Sequence, residues 1–69
     1  MHQSKIIEAI KERREILRIS QENLAELAGV GLRTLKQFEC GKGNPTLKTL
    51  EKLSEVLGME LKLEVKQIK

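Results

Sequence analysis

The hydrophobic positions of the chain fall into four runs with a helical period and one run with a period of two. Apolar residues three and four positions apart share one face of a helix. By this criterion the sequence predicts helices over about residues 5–18, 21–28, 32–40 and 47–57. Residues 59–66 alternate apolar and charged side chains instead, which predicts one β-strand.

Cap and breaker residues separate these predicted helices. Ser20 and Thr46 can each accept a hydrogen bond from the first backbone amides of the second and fourth helices, and Ser4 has the corresponding place before the first. Gly29 is expected to end the second helix in the left-handed conformation. The cluster of glycine, asparagine and proline in residues 41–45 predicts a loop before the fourth helix.

The apolar face of each predicted helix supplies the expected core. Its members are Ile6, Ile7, Ala9, Ile10 and Leu17, then Leu24, Ala25, Leu27 and Ala28, then Leu35 and Phe38, then Leu47, Leu50, Leu53, Val56 and Leu57. Phe38 is the single aromatic residue of the chain. One ring cannot form a stacking platform for single-stranded nucleic acid, so Phe38 is expected to be a core residue.

The composition argues against catalysis and metal binding. All ten acidic residues are glutamate, and the 69 residues include one histidine, His2, and one cysteine, Cys40. This inventory cannot supply a Ser-His-Asp triad, a Cys/His zinc cluster or an EF-hand loop. We therefore expect neither an enzyme nor a cofactor or metal site, and we expect Cys40 to be an inert residue at a helix end.

The charge balance favours an anionic partner. Thirteen Lys and Arg against ten Glu give a net charge of +3, which is basic but too balanced for a polybasic tail. No apolar stretch approaches the length of a membrane span or forms a signal peptide. The expected location is the cytoplasm, where a single unpaired cysteine fits the reducing conditions.

The predicted strand has no partner within the sequence. Its apolar face consists of Met59, Leu61, Leu63 and Val65, and no other segment has a strand pattern. A ladder of backbone amides and carbonyls needs a partner, and an antiparallel second copy across a two-fold axis would provide one. A small domain without disulfides or metal also gains stability from dimerisation. A frayed or helical tail is the alternative.

Several separately spaced motifs then identify a family resemblance. Residues 14–30 (REILRISQENLAELAGV), 38–42 (FECGK) and 45–50 (PTLKTL) resemble the lambda-repressor/Cro-like helix-turn-helix family of the XRE type. The resemblance covers about residues 11–58. It implies a mostly α, four-helix DNA-binding domain formed by residues 1–69, in which the usual fifth helix is replaced by the strand. That replacement is similar to the HipB-like antitoxin-type regulators, whose C-terminal strands pair in the dimer.

In a helix-turn-helix the second helix of the motif, here the third helix of the chain, enters the DNA major groove. Arg33 can donate two bonds to a guanine edge, and Gln37 can pair with adenine. Lys36 is a further base-reading candidate, as is Leu32, which can contact a thymine methyl group although relatives often carry a polar residue there. The residues expected to face outward are Leu32, Arg33, Thr34, Lys36 and Gln37. The alternative is that these polar residues form an ordinary solvated face.

Phosphate contacts are expected from both ends of the motif. By the resemblance, Gln21 at the start of the second helix bonds the DNA backbone, where helix amides already favour an anion. Thr34, Lys42 and Asn44 are the other candidates. Lys42 has the clearest case, because it is a cation in a glycine-flanked loop that can approach the DNA backbone closely; the alternative is an ordinary loop lysine. The resemblance also implies a structural ion pair between Arg14 and Glu39.

Two functional hypotheses follow. A third, a small enzyme, is rejected because the sequence lacks the catalytic residues. The leading one is a dimeric, sequence-specific regulator of transcription that binds double-stranded DNA and represses a palindromic operator. The second is an antitoxin that neutralises a HipA-like kinase toxin and autoregulates its operon. The expected partners are double-stranded DNA, a second copy of the chain and, under the second hypothesis, a toxin, with no membrane.

Overall fold

The structure, a computed structural model, describes the backbone of residues 3–63 and the side chains of residues 5–63. It contains four α-helices, which confirms the predicted helical order. They are α1 (Gln3–Ile16), α2 (Gln21–Ala28), α3 (Leu32–Glu39) and α4 (Leu47–Val56). None of these helices is long and apolar enough to cross a membrane.

The first helix differs from its predicted bounds at both ends. Because α1 already includes Gln3, Ser4 has a helical backbone, and its predicted role as the N-cap is wrong. At the other end Arg18 adopts a left-handed φ of 57°. This residue reverses the chain, and the amide of Ile19 donates to the carbonyl of Arg14 at 3.0 Å. The helix therefore ends at Ile16, two residues before the predicted limit.

The turn between α2 and α3 follows the cap chemistry predicted from the sequence. Ser20 Oγ accepts from the amide of Asn23 at 3.0 Å, and Gly29 ends α2 with φ 70° and ψ 34°. A side chain would oppose that left-handed backbone, whereas glycine adopts it freely. Gly31 is already the N-cap of α3, so the two helices are joined by a turn short enough to fix their relative orientation.

The fourth helix is defined by similar signals. Thr46 accepts from the amide of Thr49 at 3.1 Å and so caps its start. Beyond its end, Gly58 has a φ of 69°, and the amide of Met59 donates back to the carbonyl of Ser54 at 2.8 Å. The Arg13 side chain, whose role the sequence did not reveal, donates from Nε to the carbonyl of Leu57 at 3.0 Å and ties α1 to α4.

The core lies where α1, α2, α3 and α4 meet. Phe38 is buried, as predicted, and the other buried apolar residues are Ile10, Leu24, Ala25, Leu35, Leu53 and Leu57. Four predicted core residues are exposed instead: Ala9, Leu17, Leu27 and Leu47. Leu27 is rotated about 110° from the centre of the buried stripe of α2, while Leu17 and Leu47 lie at helix ends. Helical spacing alone did not distinguish these positions from the core.

The segment after Gly58 has neither helical nor strand hydrogen bonding within residues 59–63. Met59 packs against the core, Leu61 is half-buried and Leu63 is 94% exposed. The predicted strand over residues 59–66 is thus unconfirmed. A β-strand is defined by hydrogen bonds to a neighbouring strand, and the described residues provide no such neighbour. Val65 lies outside the described residues, as does His2 at the other end of the chain.

Candidate nucleic-acid interface

The third helix separates its side chains into a buried face and an exposed polar face. Leu35, Phe38 and Glu39 are buried, which anchors α3 to the core on one side. Of the α3 side chains predicted to contact DNA, those of Arg33, Thr34, Lys36 and Gln37 are exposed. All four are thus presented by a short helix whose orientation is fixed by the core.

Leu32 does not share that exposed face fully. It is half-buried and packs against the core cluster. The expectation that Leu32 points outward is therefore wrong in part. An apolar side chain at the first position of α3 gains free energy by covering the adjacent core, which leaves only its outer edge accessible.

The loop after α3 brings further predicted residues to the same side of the molecule. A small notch of about 110 Å³ is lined by Thr34, Gln37 and the loop residues Lys42 and Asn44, together with Phe38, Gly43 and Pro45. The amide of Lys42 donates to the carbonyl of Gln37 at 2.8 Å. This bond holds the loop against α3, so three phosphate candidates and one base-reading candidate surround a single notch.

At the end of α3 lies a partly buried polar group that we call the Glu39 cluster, formed by Arg14, Gln21 and Glu39. Arg14 Nε donates to Glu39 Oε2 at 2.7 Å and Arg14 Nη2 to Glu39 Oε1 at 2.9 Å. The Glu39 side chain is only 3% exposed. Arg14 Nη1 also donates to the carbonyl of Ile19 at 2.9 Å. The cluster therefore joins α1 and the turn after it to the end of α3.

Gln21 is the third member of the Glu39 cluster. Its Nε2 donates to Glu39 Oε1 at 2.9 Å, a contact between the start of α2 and the end of α3 that the sequence did not reveal. A side-chain amide has two N–H groups, and this bond uses one of them. The bond also fixes the position of the Gln21 amide, the group expected to contact phosphate.

The Glu39 cluster changes the electrostatics of the exposed face. The hydrogen bond from Arg14 to Glu39 is the main cause that raises the pKa of Arg14, so the guanidinium is charged across the working pH range. Its charge neutralises Glu39, which is the only acid in residues 32–43. Arg33, Lys36 and Lys42 in the same stretch then give the exposed face a net positive potential.

The described residues do not bring metal-binding side chains together. No group of three His, Cys, Asp or Glu side chains among them is placed to hold a metal ion. Cys40 is exposed at the C-cap of α3.

Comparison with known proteins agrees with this geometry. The helix-turn-helix family matches residues 10–63. A Bacillus subtilis (strain 168) protein, the SPbeta prophage-derived uncharacterized HTH-type transcriptional regulator YonR, is 38% identical over 52 residues, which are 75% of this chain and 48% of that protein. The cryptic phage CTXphi transcriptional repressor RstR of Vibrio cholerae is 30% identical over 57 residues, 83% of this chain and 51% of that protein. The chain thus spans about half the length of these relatives, and it belongs to the helix-turn-helix family.

Proposed function

We propose that this protein is a sequence-specific regulator of transcription that binds double-stranded DNA as a dimer and represses by occupying a palindromic operator. The observation that carries the proposal is the exposed face of α3, which presents Arg33, Lys36 and Gln37 on a helix whose opposite side is buried in the core. In a helix-turn-helix this is the face that enters the major groove.

Sequence reading is assigned to Arg33 and Gln37, with Lys36 beside them. A guanidinium donates two bonds to guanine and a glutamine amide pairs with adenine, each worth about 1–3 kcal/mol of discrimination against the wrong base. Leu32, being half-buried, contributes at most an apolar contact to a thymine methyl group.

Positioning on the DNA backbone is assigned to Thr34, Lys42, Asn44 and Gln21. The first three line one notch, where a phosphate oxygen could accept from all of them. Gln21 begins α2, so its amide lies beside helix N-terminal N–H groups that favour an anion. These contacts fix the register of the protein on the duplex, and the base-reading residues then give specificity.

Dimerisation is assigned to the C-terminal segment, with Met59, Leu61, Leu63 and Val65 on its apolar face. Two copies of α3 could then enter successive major grooves about 34 Å apart. The names of the two relatives, a transcriptional regulator and a transcriptional repressor, support regulation of transcription. No observation of the structure favours the antitoxin hypothesis, and neither relative is named as an antitoxin.

The proposal is tested by titrating the protein on its operator at several salt concentrations. Lys42→Ala removes a proposed phosphate contact, whereas Lys11→Ala removes the same charge from a site among Glu8, Glu12 and Glu15. We expect Lys42→Ala to reduce the slope of log K against log salt by about 0.9 per half-site, and Lys11→Ala to leave it unchanged. Binding without salt dependence or without preference for any sequence would refute the proposed function.

The base-reading assignment requires a separate experiment. DNA selected from a random pool by Arg33→Ala should lose its preference at the guanine positions, and Gln37→Ala should do the same at adenine. Both side chains are exposed, so neither change should affect folding. Unchanged specificity in both variants would refute the assignment while leaving DNA binding itself intact.

A further inference from the structure

The Gln21 side chain connects a buried acid to the molecular surface. Gln21 is half-buried, and its Nε2 donates at 2.9 Å to Oε1 of Glu39, whose side chain is only 3% exposed. The two residues lie 18 apart in sequence and belong to different helices. The bond therefore joins the start of α2, where a phosphate contact is proposed, to the end of α3, the helix proposed to enter the major groove.

The chemistry of Glu39 fixes the orientation in which the Gln21 amide is held. An ionised carboxylate has lone pairs and no hydrogen to donate, whereas a glutamine amide has an accepting oxygen at one end and two donating N–H groups at the other. Only the nitrogen end of Gln21 can therefore bond to Glu39. One N–H is used in that bond, and because the two N–H bonds of a planar amide diverge, the second points away from the carboxylate.

The carboxylate of Glu39 is itself held in place from another helix. Arg14 of α1 donates to both of its oxygens, at 2.7 and 2.9 Å, and such a two-bond contact fixes the plane of the carboxylate. Oε1 accepts from Arg14 Nη2 and from Gln21 Nε2 together. The acceptor for Gln21 is thus positioned independently of α2, and the charge of Arg14 keeps the acid from repelling a nearby phosphate.

An amide that is already ordered has an advantage in binding phosphate. A free glutamine side chain samples many rotamers, and holding it in one of them on binding costs free energy that opposes the contact. The bond to Glu39 imposes this order in the unbound protein. It also prevents the amide from turning its oxygen outward, where the oxygens of a phosphate would repel it.

We infer that Glu39 is a positioning residue for DNA binding, which holds the Gln21 amide with one N–H directed outward to donate to a DNA phosphate. This role is additional to the ion pair with Arg14, which joins α1 to α3. The inference rests on the proposed function, because it deepens the phosphate contact assigned to Gln21. It does not depend on which DNA sequence is bound or on how the protein dimerises.

A double-mutant cycle in DNA binding separates positioning from stability. The probe is a duplex selected from a random pool by the unaltered protein. We expect Gln21→Ala to raise the Kd for this duplex by about tenfold, as the loss of a hydrogen bond to a charged group would. Arg14→Met/Glu39→Leu, which leaves no charge unpaired, should raise the Kd by a similar factor. Adding Gln21→Ala to that double variant should then change the Kd by less than about twofold.

Two further variants make the cycle specific. Arg14→Met/Glu39→Gln keeps an oxygen at position 39 that can accept from Gln21, and it should recover most of the lost affinity. Asn23→Ala removes another amide side chain, an exposed one, from the first turn of α2. Because residues two apart do not face the same side of a helix, its Kd should stay within about twofold of the original. Thermal unfolding confirms that each variant is folded at the temperature of the binding assay.

The salt dependence of binding identifies which group makes the contact. None of these variants changes the net charge of the chain, since the changes at Arg14 and Glu39 remove one charge of each sign. The slope of log K against log salt should therefore stay the same in all of them, because a neutral amide releases no counterion. A smaller slope in Arg14→Met/Glu39→Leu would assign the lost contact to the Arg14 cation and would overturn the inference.

A measurement without DNA completes the test. In ¹⁵N relaxation of the Gln21 side-chain amide, we expect restricted motion in the unaltered protein and free rotation in Arg14→Met/Glu39→Leu. An amide equally mobile in both proteins, or equal effects of Gln21→Ala on DNA binding in both backgrounds, would leave Glu39 with a structural role only. If the random pool yields no enriched duplex, the proposed function fails whatever the order of the Gln21 amide, so the two failures are distinguishable.

Discussion

The helix-turn-helix and the C-terminal segment differ in the hydrogen bonding of their polar groups and in the burial of their apolar side chains. Within the helix-turn-helix, side-chain caps at Ser20 and Thr46 bind helix amides, and Glu39 is bonded by Arg14 and Gln21. Residues 59–63 belong to neither a helix nor a strand, and Leu63 near the end of the described chain is 94% exposed. The helix-turn-helix completes its interactions within a single chain, whereas the described part of the C-terminal segment leaves apolar surface exposed, which the proposed dimer would cover.

This difference indicates where each part of the proposed activity arises. The position of α3 depends on contacts within one protomer, so base reading should survive in a monomer. In the proposed dimer the spacing between two copies of α3 depends on the C-terminal pairing, so recognition of a two-fold symmetric operator should not survive in a monomer. Substitutions in the two regions are therefore expected to have separable effects.

The largest effect is expected in the core of the helix-turn-helix. Phe38→Ala would leave a cavity beneath α3 and should lower the free energy of unfolding by about 3–5 kcal/mol, most of the stability of a small domain. Leu27→Ala, at a position 65% exposed, is the matched control and should change it by less than about 0.5 kcal/mol. Urea denaturation measures both, and equal effects would contradict the assigned core.

The Glu39 cluster should give the next largest effect. Glu39→Ala would leave the Arg14 guanidinium without its carboxylate partner and should cost about 3 kcal/mol, whereas Glu12→Ala, at an exposed position of α1, should cost little. The double variant Arg14→Met/Glu39→Leu should regain most of the loss, because no charge is then left unpaired. A double variant no more stable than Glu39→Ala would contradict this account.

The raised pKa of Arg14 sets the pH range over which this residue stabilises the folded state. A group whose pKa is raised on folding stabilises the folded state below its unfolded pKa and loses that contribution as the pH rises through the folded value. For an arginine this range lies in strong alkali. Replacing Arg14 with lysine should therefore bring the alkaline loss of stability to lower pH, as measured by thermal unfolding across the pH range.

A substitution in the C-terminal segment should weaken dimerisation without changing the fold of the single chain. Leu63→Ala removes apolar surface from both copies at the proposed dimer interface and should weaken dimerisation by about 2 kcal/mol. Because Leu63 is exposed in the single chain, the helical circular dichroism of the protomer should not change. Loss of helical signal together with loss of the dimer would show that the two regions do not fold independently.

The smallest effect is expected at a helix cap. Ser20→Ala removes the acceptor of the Asn23 amide and should lower the free energy of unfolding by about 1 kcal/mol. Ser20→Asp, which restores an acceptor, should recover it. Thermal unfolding of the three proteins tests whether the cap stabilises the start of α2.

The sequence predicted those parts of the fold that depend on local chemistry. Spacing identified the four helices, and the caps at Ser20, Gly29 and Thr46 were correctly placed, because each acts within a few residues of itself. The apolar period marked Phe38 and Leu24 as core but included Leu27 wrongly, since an eight-residue helix has too few turns to define the edge of its buried stripe.

Contacts that depend on tertiary packing could not be predicted from the sequence in the same way. The bond from Gln21 to Glu39 joins residues 18 apart in sequence, and no periodicity relates them. Half-burial of Leu32 likewise follows from how α3 lies against the core. For the candidate site, the residue types and their helix were predictable, whereas the notch that gathers Thr34, Lys42 and Asn44 depends on the loop conformation.

The central claim is that α3 reads DNA and that the C-terminal segment sets the symmetry of the site. Selection of bound sequences from a random duplex pool by the unaltered protein tests both at once. The account predicts enrichment of an inverted repeat with guanine and adenine in each half-site and half-site centres about 10 base pairs apart. A pool with no enriched sequence would contradict base reading by α3, and an enriched single half-site without its inverted copy would contradict the dimer.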